Sequence, residues 1–144
     1  MSKGNTFEDD LLKMILNATP IANLCDNAAA SPLTNLYVAL HTADPGEGGT
    51  QATNEIGYTS YGRVAVTRNN GTPGWTISGG SASPVGTINF PAGTGGSGTA
   101  THFSIGVASS GASKILYSGT ITTPIVCGAG VTPQLTTAGT ITED

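Results

Sequence analysis

Alternating apolar and polar residues at positions 36–42, in the run LYVALHT, predict the first main strand of the chain. Leu36, Val38 and Leu40 fall on one side, and His41 falls on the other. This period of two is typical of a strand with one face buried. The pattern therefore places His41 on the outward face.

A second strand is predicted near Tyr61, where Val64 and Val66 alternate with polar or small residues. Between the two strands, Asp44-Pro45-Gly46 has the composition of a turn, and residues 47–59 show neither helical nor strand periodicity. A loop of this length is uncommon in a compact domain unless it is functional or disordered. We therefore predict that the loop is a contact surface for a partner, and that shortening it leaves the fold intact. The candidate contact residues are Asp44, Pro45, Glu47, Thr50, Asn54, Glu55, Tyr58 and Tyr61.

A short amphipathic helix is predicted near the N-terminus, beginning at Thr6 and ending near Asn17. Acidic residues occupy its first turn, where the helix dipole favours negative charge. Apolar residues from Leu11 to Leu16 recur at helical spacing. Isolated helices of this length are marginally stable, so this one must dock, either on its own domain, which we favour, or on a neighbouring protein.

The rest of the chain predicts further short strands separated by glycine-rich breaks. Residues 101–107 form a strand with Ser104 facing outward, and residues 114–121 return as its antiparallel partner. Residues 78–83 are interpreted as a break, and the glycine-rich residues 91–99 as a flexible loop. With 21 Gly and 8 Pro in 144 residues, this composition favours one domain of many short strands joined by turns.

Charge is scarce and unevenly distributed. The chain carries five Lys plus Arg and a net charge of −4, which argues against nucleic-acid binding, since that requires basic clusters. From residue 69 to residue 142 the single formal charge is Lys114. Exposed sheet edges are normally protected by charges, so we expect these edges to be capped by loops or covered by partners. No apolar run is long enough to span a bilayer, and the first residues lack a signal-peptide pattern, so synthesis in the cytoplasm is expected.

The metal-binding and redox candidates are few. His41 and His102 could meet if their strands were neighbours, and with Asp44 or Glu47 they could bind a metal, but their spacing is not that of a ligand set. The remaining candidates are two cysteines, Cys25 and Cys127. Because reduced, buried cysteine is the commoner state in a cytosolic assembly, we predict neither a disulfide nor a metal site.

The enzymatic motifs are incomplete. Residues 93–98 match G-x-G-x-x-G, but a strand-like run follows where dinucleotide binding needs a helix. The sequence has no G-x-S-x-G elbow, and no carboxylate lies between Arg68 and Glu143 for glycosidase chemistry. The sequence therefore predicts a protein that is not an enzyme and has no cofactor.

Three motifs carry a resemblance to a known group. LYVALHTADPG, the loop rich in Thr, Asn and Glu with its Y-x-R-V-A-V strand, and FSIGVASSGASKILYSGTITTPI at 103–125 resemble small virion proteins of tailed bacteriophages. Some of these are cement or decoration proteins on the outer capsid surface, and others are assigned to the tail. The resemblance implies an all-β antiparallel sandwich, or jelly-roll, at residues 36–144, preceded by a helix and connecting arm at residues 1–35.

The functional expectation that follows is a non-enzymatic cement protein on the capsid surface of the virion. Its implied partners are the phage major capsid protein and other copies of itself, as a dimer or trimer. The alternative is a tail or host-recognition protein, and a sugar-degrading enzyme is a distant third.

Overall fold

The computed structural model describes residues 5–21 and 32–142. The fold is all-β with antiparallel sheets and one short N-terminal helix, which confirms the predicted fold class. The elements are α1 (Asn5–Leu16), β1 (Asn35–His41), β2 (Val64–Thr67), β3 (Trp75–Ser78), β4 (Ser81–Pro84), β5 (Ile88–Asn89), β6 (Ser97–Gly106), β7 (Ile115–Gly128), β8 (Gln134–Leu135) and β9 (Ile141–Thr142).

Close contacts group the described residues into two units. One lies within Met1–Asn35, Val66–Thr87 and Thr136–Asp144, and the other within Leu36–Ala65 and Ile88–Leu135. The predicted division into residues 1–35 and 36–144 stays a prediction. The contact grouping differs from it in placing residues 66–87 and 136–142 with the helix.

Helix α1 docks within its own unit, as predicted. Leu12 and Leu16 are fully buried, and the helix packs against β3 and β4. Asp9 in α1 accepts a hydrogen bond of 2.6 Å from the backbone N–H of Gly80 in the turn after β3. Apolar burial and this charge-assisted bond supply the tertiary support that a helix of three turns needs.

Arg68 caps the C-terminal end of α1. Its Nε donates to the carbonyl of Ile15 at 2.6 Å, and its Nη2 donates to the carbonyl of Met14 at 2.7 Å. A third bond, from Nη1, reaches the carbonyl of Leu33 at 2.8 Å. The last carbonyls of a helix have no intrahelical partner, so one side chain here satisfies two of them and ties them to the segment before β1.

A four-stranded sheet has the order β2-β1-β6-β7, and its strands β6 and β7 lie wholly in the second unit. Strand β6 runs antiparallel to both β1 and β7, and His41 lies directly opposite His102. The predicted outward orientation of His41 and Ser104 is wrong, because both are fully buried. Alternation of apolar and polar residues identifies a solvent-exposed face only when the other face alone is covered. Strands β1 and β6 are the inner strands of the sheet, and the strap covers the face that carries His41 and Ser104, so these polar side chains are buried.

The predicted break at residues 78–83 is too long, because the chain is interrupted at Gly79 and Gly80 while Ser78 and residues 81–83 are in strands. Strands β3 and β4 form a hairpin in which Ser78 pairs with Ser81, and β9 then pairs with β4. The two residues of the turn, Gly79 and Gly80, have φ values of 60° and 73°. Two successive residues with positive φ match the right-handed twist of a tight hairpin, which explains the Gly-Gly pair.

The glycine-rich residues 91–99 are not a flexible loop. Gly93 pairs with Ala129, Gly95 pairs with Thr59, and β6 already begins at Ser97. A Cβ atom at Gly93 would collide with the backbone of Gly128. Glycine here permits close approach of two backbone segments and does not indicate mobility.

Strand β7 is an outer strand of its sheet, and its edge is irregular. The register passes from Ala100 opposite Ile125 to His102 opposite Thr120, so residues 121–124 bulge opposite a single residue of β6. Pro124 lies in this bulge and has no N–H to offer another strand. The bulge and the proline therefore protect the edge of β7 against pairing with another strand, although this edge lacks charges. The scarcity of charge does not by itself require that a partner covers the edge.

Candidate functional site

The segment that joins β1 to β2, residues 42–63, is folded onto the sheet. His41 and Glu55 form an isolated antiparallel bridge, and so do Thr59 and Gly95. The N–H of Ile56 donates to the carbonyl of Leu40 at 2.9 Å. The predicted long loop is thus a strap held by backbone hydrogen bonds, and we call residues 42–63 the strap.

The predicted turn at the start of the strap is confirmed. The carboxylate of Asp44 accepts a 2.9 Å bond from the N–H of Gly46, which has a φ of 72°. The side-chain amide of Asn54 donates to the carbonyl of Asp44 at 3.0 Å and closes the turn against the later part of the strap. An Asx turn of this kind gives the exposed end of the strap a defined shape.

Gln51 belongs to the strap, and its side chain points into the interior between the strap and the sheet. It is 0 % exposed, yet both ends of its amide are bonded. Its Nε2 donates to the carbonyl of Tyr37 at 2.9 Å and to the hydroxyl of Ser104 at 3.3 Å. Its Oε1 accepts a 2.7 Å bond from Ser113 and a 3.4 Å bond from Arg63. A buried amide is tolerated when its donors and acceptor are satisfied, so Gln51 is a structural link between the strap and the sheet.

Arg63 is buried at the end of the strap and pairs with Glu55. Two nitrogens of the guanidinium donate to the two carboxylate oxygens at 2.7 Å each, and the Arg63 side chain is 1 % exposed. These hydrogen bonds are the largest cause that raises the pKa of Arg63. The remaining donors reach the carbonyls of Ala108 at 3.0 Å and Gly111 at 2.7 Å and the hydroxyl of Ser113 at 3.1 Å. One guanidinium therefore fixes both the strap and the turn between β6 and β7.

Two tyrosines pack the C-terminal part of the strap onto the core. The hydroxyl of Tyr61 accepts from the N–H of Leu40 at 3.1 Å and donates to Glu55 at 3.0 Å, and burial raises its pKa. Its ring meets Tyr58 edge-on and stacks with Phe90 at centroid distances of 5.4 and 6.4 Å. Tyr58 is itself 2 % exposed, and its hydroxyl donates to the carbonyl of Pro91.

His41 and Ser104 are as close to each other as the two residues of a catalytic dyad, but both are buried away from solvent. His41 Nδ1 lies 2.8 Å from the carbonyl of Thr53, which requires an N–H on Nδ1. Its Nε2 lies 2.7 Å from Ser104 Oγ and therefore accepts from that hydroxyl. Both residues are 0 % exposed, so a substrate cannot reach the serine oxygen in this conformation. Burial is the largest cause that lowers the pKa of His41 and keeps the imidazole neutral.

His102 does not join His41 in a metal site. Its ring nitrogens lie 2.9 Å from Thr101 Oγ1 and 3.4 Å from Thr120 Oγ1, while both nitrogens of His41 are engaged as described above. Across residues 5–21 and 32–142, no group of three or more His, Cys, Asp or Glu side chains is placed to hold a metal ion. The thiol of Cys127 is free and buried, and burial raises its pKa. The question of its pairing with Cys25 lies outside the described residues.

The predicted contact residues divide into exposed and internal groups. Pro45 and Tyr58 are buried within the chain's own fold, which corrects their assignment as surface residues. Glu55 pairs with Arg63 and accepts a hydrogen bond from Tyr61, so Glu55 and Tyr61 also hold the strap in place. Thr50 is partly buried. Asp44, Glu47 and Asn54 are exposed and remain predicted contact residues. That shortening the strap leaves the fold intact stays a prediction, and the burial of Gln51, Ile56 and Tyr58 argues against it.

Gln51, Ser104 and Arg63 are the important residues that the sequence did not identify. One signal was available for Arg63. Arg63 follows Glu55 by eight residues in a chain with five basic residues, and a buried arginine requires a carboxylate partner, so Glu55 was the candidate to consider if Arg63 were buried. Gln51 and Ser104 carry no such signal, because they bond to each other across 53 residues of sequence.

Comparison with protein families gives one finding on identity. Residues 12–142 match the family model described as podophage GP4 fiber I protein gp80. Comparison with curated proteins gives no match. Among the described residues, no helix is long and apolar enough to cross a membrane. The family model covers almost the whole chain, including the strap and the four-stranded sheet, and the chain therefore belongs to this family of phage virion structural proteins.

Proposed function

We propose that this protein is a non-enzymatic subunit of a fibre on the surface of a podophage particle. The observation that carries this proposal is the match of residues 12–142 to a family described as a fibre protein. A subunit of this kind needs a rigid fold and an outward surface, and it needs no catalytic centre.

The strap supports a structural role in chemical terms. His41 and Ser104, whose separation is that of a catalytic pair, are sealed from solvent and hydrogen-bonded to each other. The carboxylate of Glu55 is neutralised by Arg63 at 2.7 Å. Polar groups that are buried and mutually satisfied rigidify a fold, so this network maintains the shape of the strap.

The outward contact in this proposal uses the exposed turn of the strap. Asp44, Glu47 and Asn54 are exposed, and the hydrogen bonds beneath them fix the backbone that carries them. A surface that is ordered before binding loses little conformational entropy when a partner docks. Copies of this chain and the particle to which the fibre attaches are the proposed partners.

A second candidate is the cement role, in which the protein binds across joints of the major capsid protein. The run LYVALHTADPG and the segment at 103–125 favour it through their resemblance to capsid decoration proteins. In that case a subunit that binds the intact lattice better than its separate pieces stabilises the particle by mass action.

Electron cryomicroscopy of particles with and without the gene separates the two roles. The fibre proposal expects projecting density that disappears with the gene, together with loss of adsorption and unchanged heat resistance. Density lying flat at capsomer joints, with DNA released at lower temperature from the deletion particles and restored by added protein, would replace the fibre proposal with the cement role.

A further inference from the structure

The ring of His41 connects two parts of the second unit that are distant in sequence. Nδ1 bonds the carbonyl of Thr53 in the strap at 2.8 Å, and Nε2 bonds Ser104 in β6 at 2.7 Å. Gln51 donates to the same Ser104 oxygen from the strap side at 3.3 Å. His41 is therefore one link between the middle of the strap and the centre of the sheet, beside the bonds of Gln51 to Tyr37 and of Ile56 to Leu40.

This link requires a neutral imidazole. The carbonyl of Thr53 can accept only, so Nδ1 carries the proton. Ser104 accepts from Gln51 and donates to the lone pair on Nε2. A second proton would place an N–H donor of His41 against the hydroxyl hydrogen of Ser104. Ser104 would have to turn and accept twice, its hydrogen would lose its acceptor, and a charge would be buried at a fully enclosed ring.

The charged groups around His41 act in opposite directions on a protonated, positively charged ring. The carboxylate of Glu55 favours the imidazolium, whereas the guanidinium of Arg63 and the ring of His102 disfavour it. Glu55 is already paired with Arg63 through two bonds of 2.7 Å. The adjacent guanidinium therefore offsets part of the field of the carboxylate at His41.

We propose that His41 is an acid-sensitive latch that helps to hold the middle of the strap, residues 51–56, on the sheet at neutral pH and loosens this part on protonation. The sign follows from linkage. Burial lowers the pKa of His41 in the folded chain below its ordinary value of 6.5. Latch stability is therefore complete above pH 6.5 and is lost as the pH falls through the folded pKa. Over that window the equilibrium for opening rises by at most about tenfold per pH unit for one titrating group.

Hydrogen exchange of the full chain tests the latch. Amide exchange is measured at several pH values from 7.5 to 5.0, corrected for intrinsic rates, in a window that stays above the ordinary carboxyl pKa of about 4. The N–H of Gln51 donates to the carbonyl of Ser113 in the turn between β6 and β7, and the N–H of Ile56 donates to the carbonyl of Leu40 in β1. We expect the protection of these two amides to fall selectively below pH 6.5. Trp75 belongs to the other unit, and its amide is the internal reference.

Two variants sharpen the experiment. His41→Gln retains a donor and an acceptor but cannot be protonated, so it should abolish the pH response of the strap. His102→Gln removes the neighbouring imidazole and should leave the response in place. An equal pH response in the wild type and His41→Gln, or unchanged protection of the wild-type strap down to pH 5.0, would overturn the proposal.

A spectroscopic measurement on the wild type covers the case in which His41→Gln fails to fold. Nitrogen chemical shifts of the imidazole report which nitrogen carries the proton. The latch expects an Nδ1–H tautomer at neutral pH, and one titration midpoint shared by the His41 ring and the amides of the strap. A ring that titrates while the strap amides do not respond would refute the latch.

Discussion

Replacing Arg63 by Met is the most informative single change in the strap. The substitution keeps an apolar stem of similar length and removes the guanidinium. It deletes two 2.7 Å bonds to Glu55 and the bonds to the carbonyls of Ala108 and Gly111 and to Ser113. Glu55 then keeps Tyr61 as its partner, at 3.0 Å.

The expected cost can be bounded from the burial of the pair. Removing one partner from a buried ion pair costs about 3–5 kcal/mol, because the other charge remains without compensation. Arg63 is 1 % exposed but Glu55 is 19 % exposed, so water can partly solvate the carboxylate that remains. We therefore expect about 3 kcal/mol, which lowers the melting temperature of a chain of this size by roughly 10 °C.

Urea and thermal unfolding followed by circular dichroism measure this cost. Arg63→Lys is the matched control for charge, since lysine keeps the positive charge but cannot make the planar fork, and it should lose more than half of the stabilisation. The double variant Arg63→Met with Glu55→Gln removes the uncompensated carboxylate and should recover about 1 kcal/mol or more relative to Arg63→Met.

The reasoning would be refuted by a small effect. A loss below about 1 kcal/mol for Arg63→Met is the value of an exposed ion pair and would mean that the guanidinium is solvated in solution. Wild-type stability of Arg63→Lys would show that charge alone matters and that the hydrogen bonds to the turn between β6 and β7 contribute nothing.

Further predictions concern close packing, the helix cap and attachment. Gly106→Ala would press a Cβ against the Gln51 side chain and to 2.6 Å from a backbone oxygen, and should cost about 1–3 kcal/mol in urea unfolding, while Gly57→Ala, with open space around it, should cost under 1 kcal/mol. Arg68→Ala should cost about 1–3 kcal/mol and increase amide exchange at the end of α1, because two helix carbonyls lose their donor; equal exchange would contradict the capping role. Attachment to particles, followed by co-sedimentation, should change little up to 1 M salt, where screening reaches about 3 Å; release by salt would indicate a contact dominated by ion pairs.

Local patterns predicted the elements that local interactions determine. Helix α1 begins and ends within one residue of the predicted bounds, since its apolar spacing and acidic first turn lie in one short stretch. Strand β1 was found by its alternation, and the turn at Asp44 by its composition. These features depend on neighbours a few residues away, and a single sequence contains that information.

Features that depend on distant partners could not be read in this way. Ser104 looked exposed because its strand alternates, yet its partner Gln51 lies 53 residues away in a segment with no periodicity. The glycine-rich residues 91–99 looked flexible because glycine permits both mobility and close backbone contact, and the choice between them is made by the pairing of Gly93 with Ala129.

The internal use of charge explains the character of the outer surface. Two of the five basic residues, Arg63 and Arg68, bond inward to a carboxylate and to backbone carbonyls. These bonds fix the strap and the end of the helix, and they leave fewer positive charges on the surface. What the strap presents outward is a turn of defined shape that carries Asp44 and Glu47. If this surface is the contact proposed above, recognition there would rest on shape and directed hydrogen bonds more than on long-range attraction, and the internal network would supply the ordered backbone that such recognition needs.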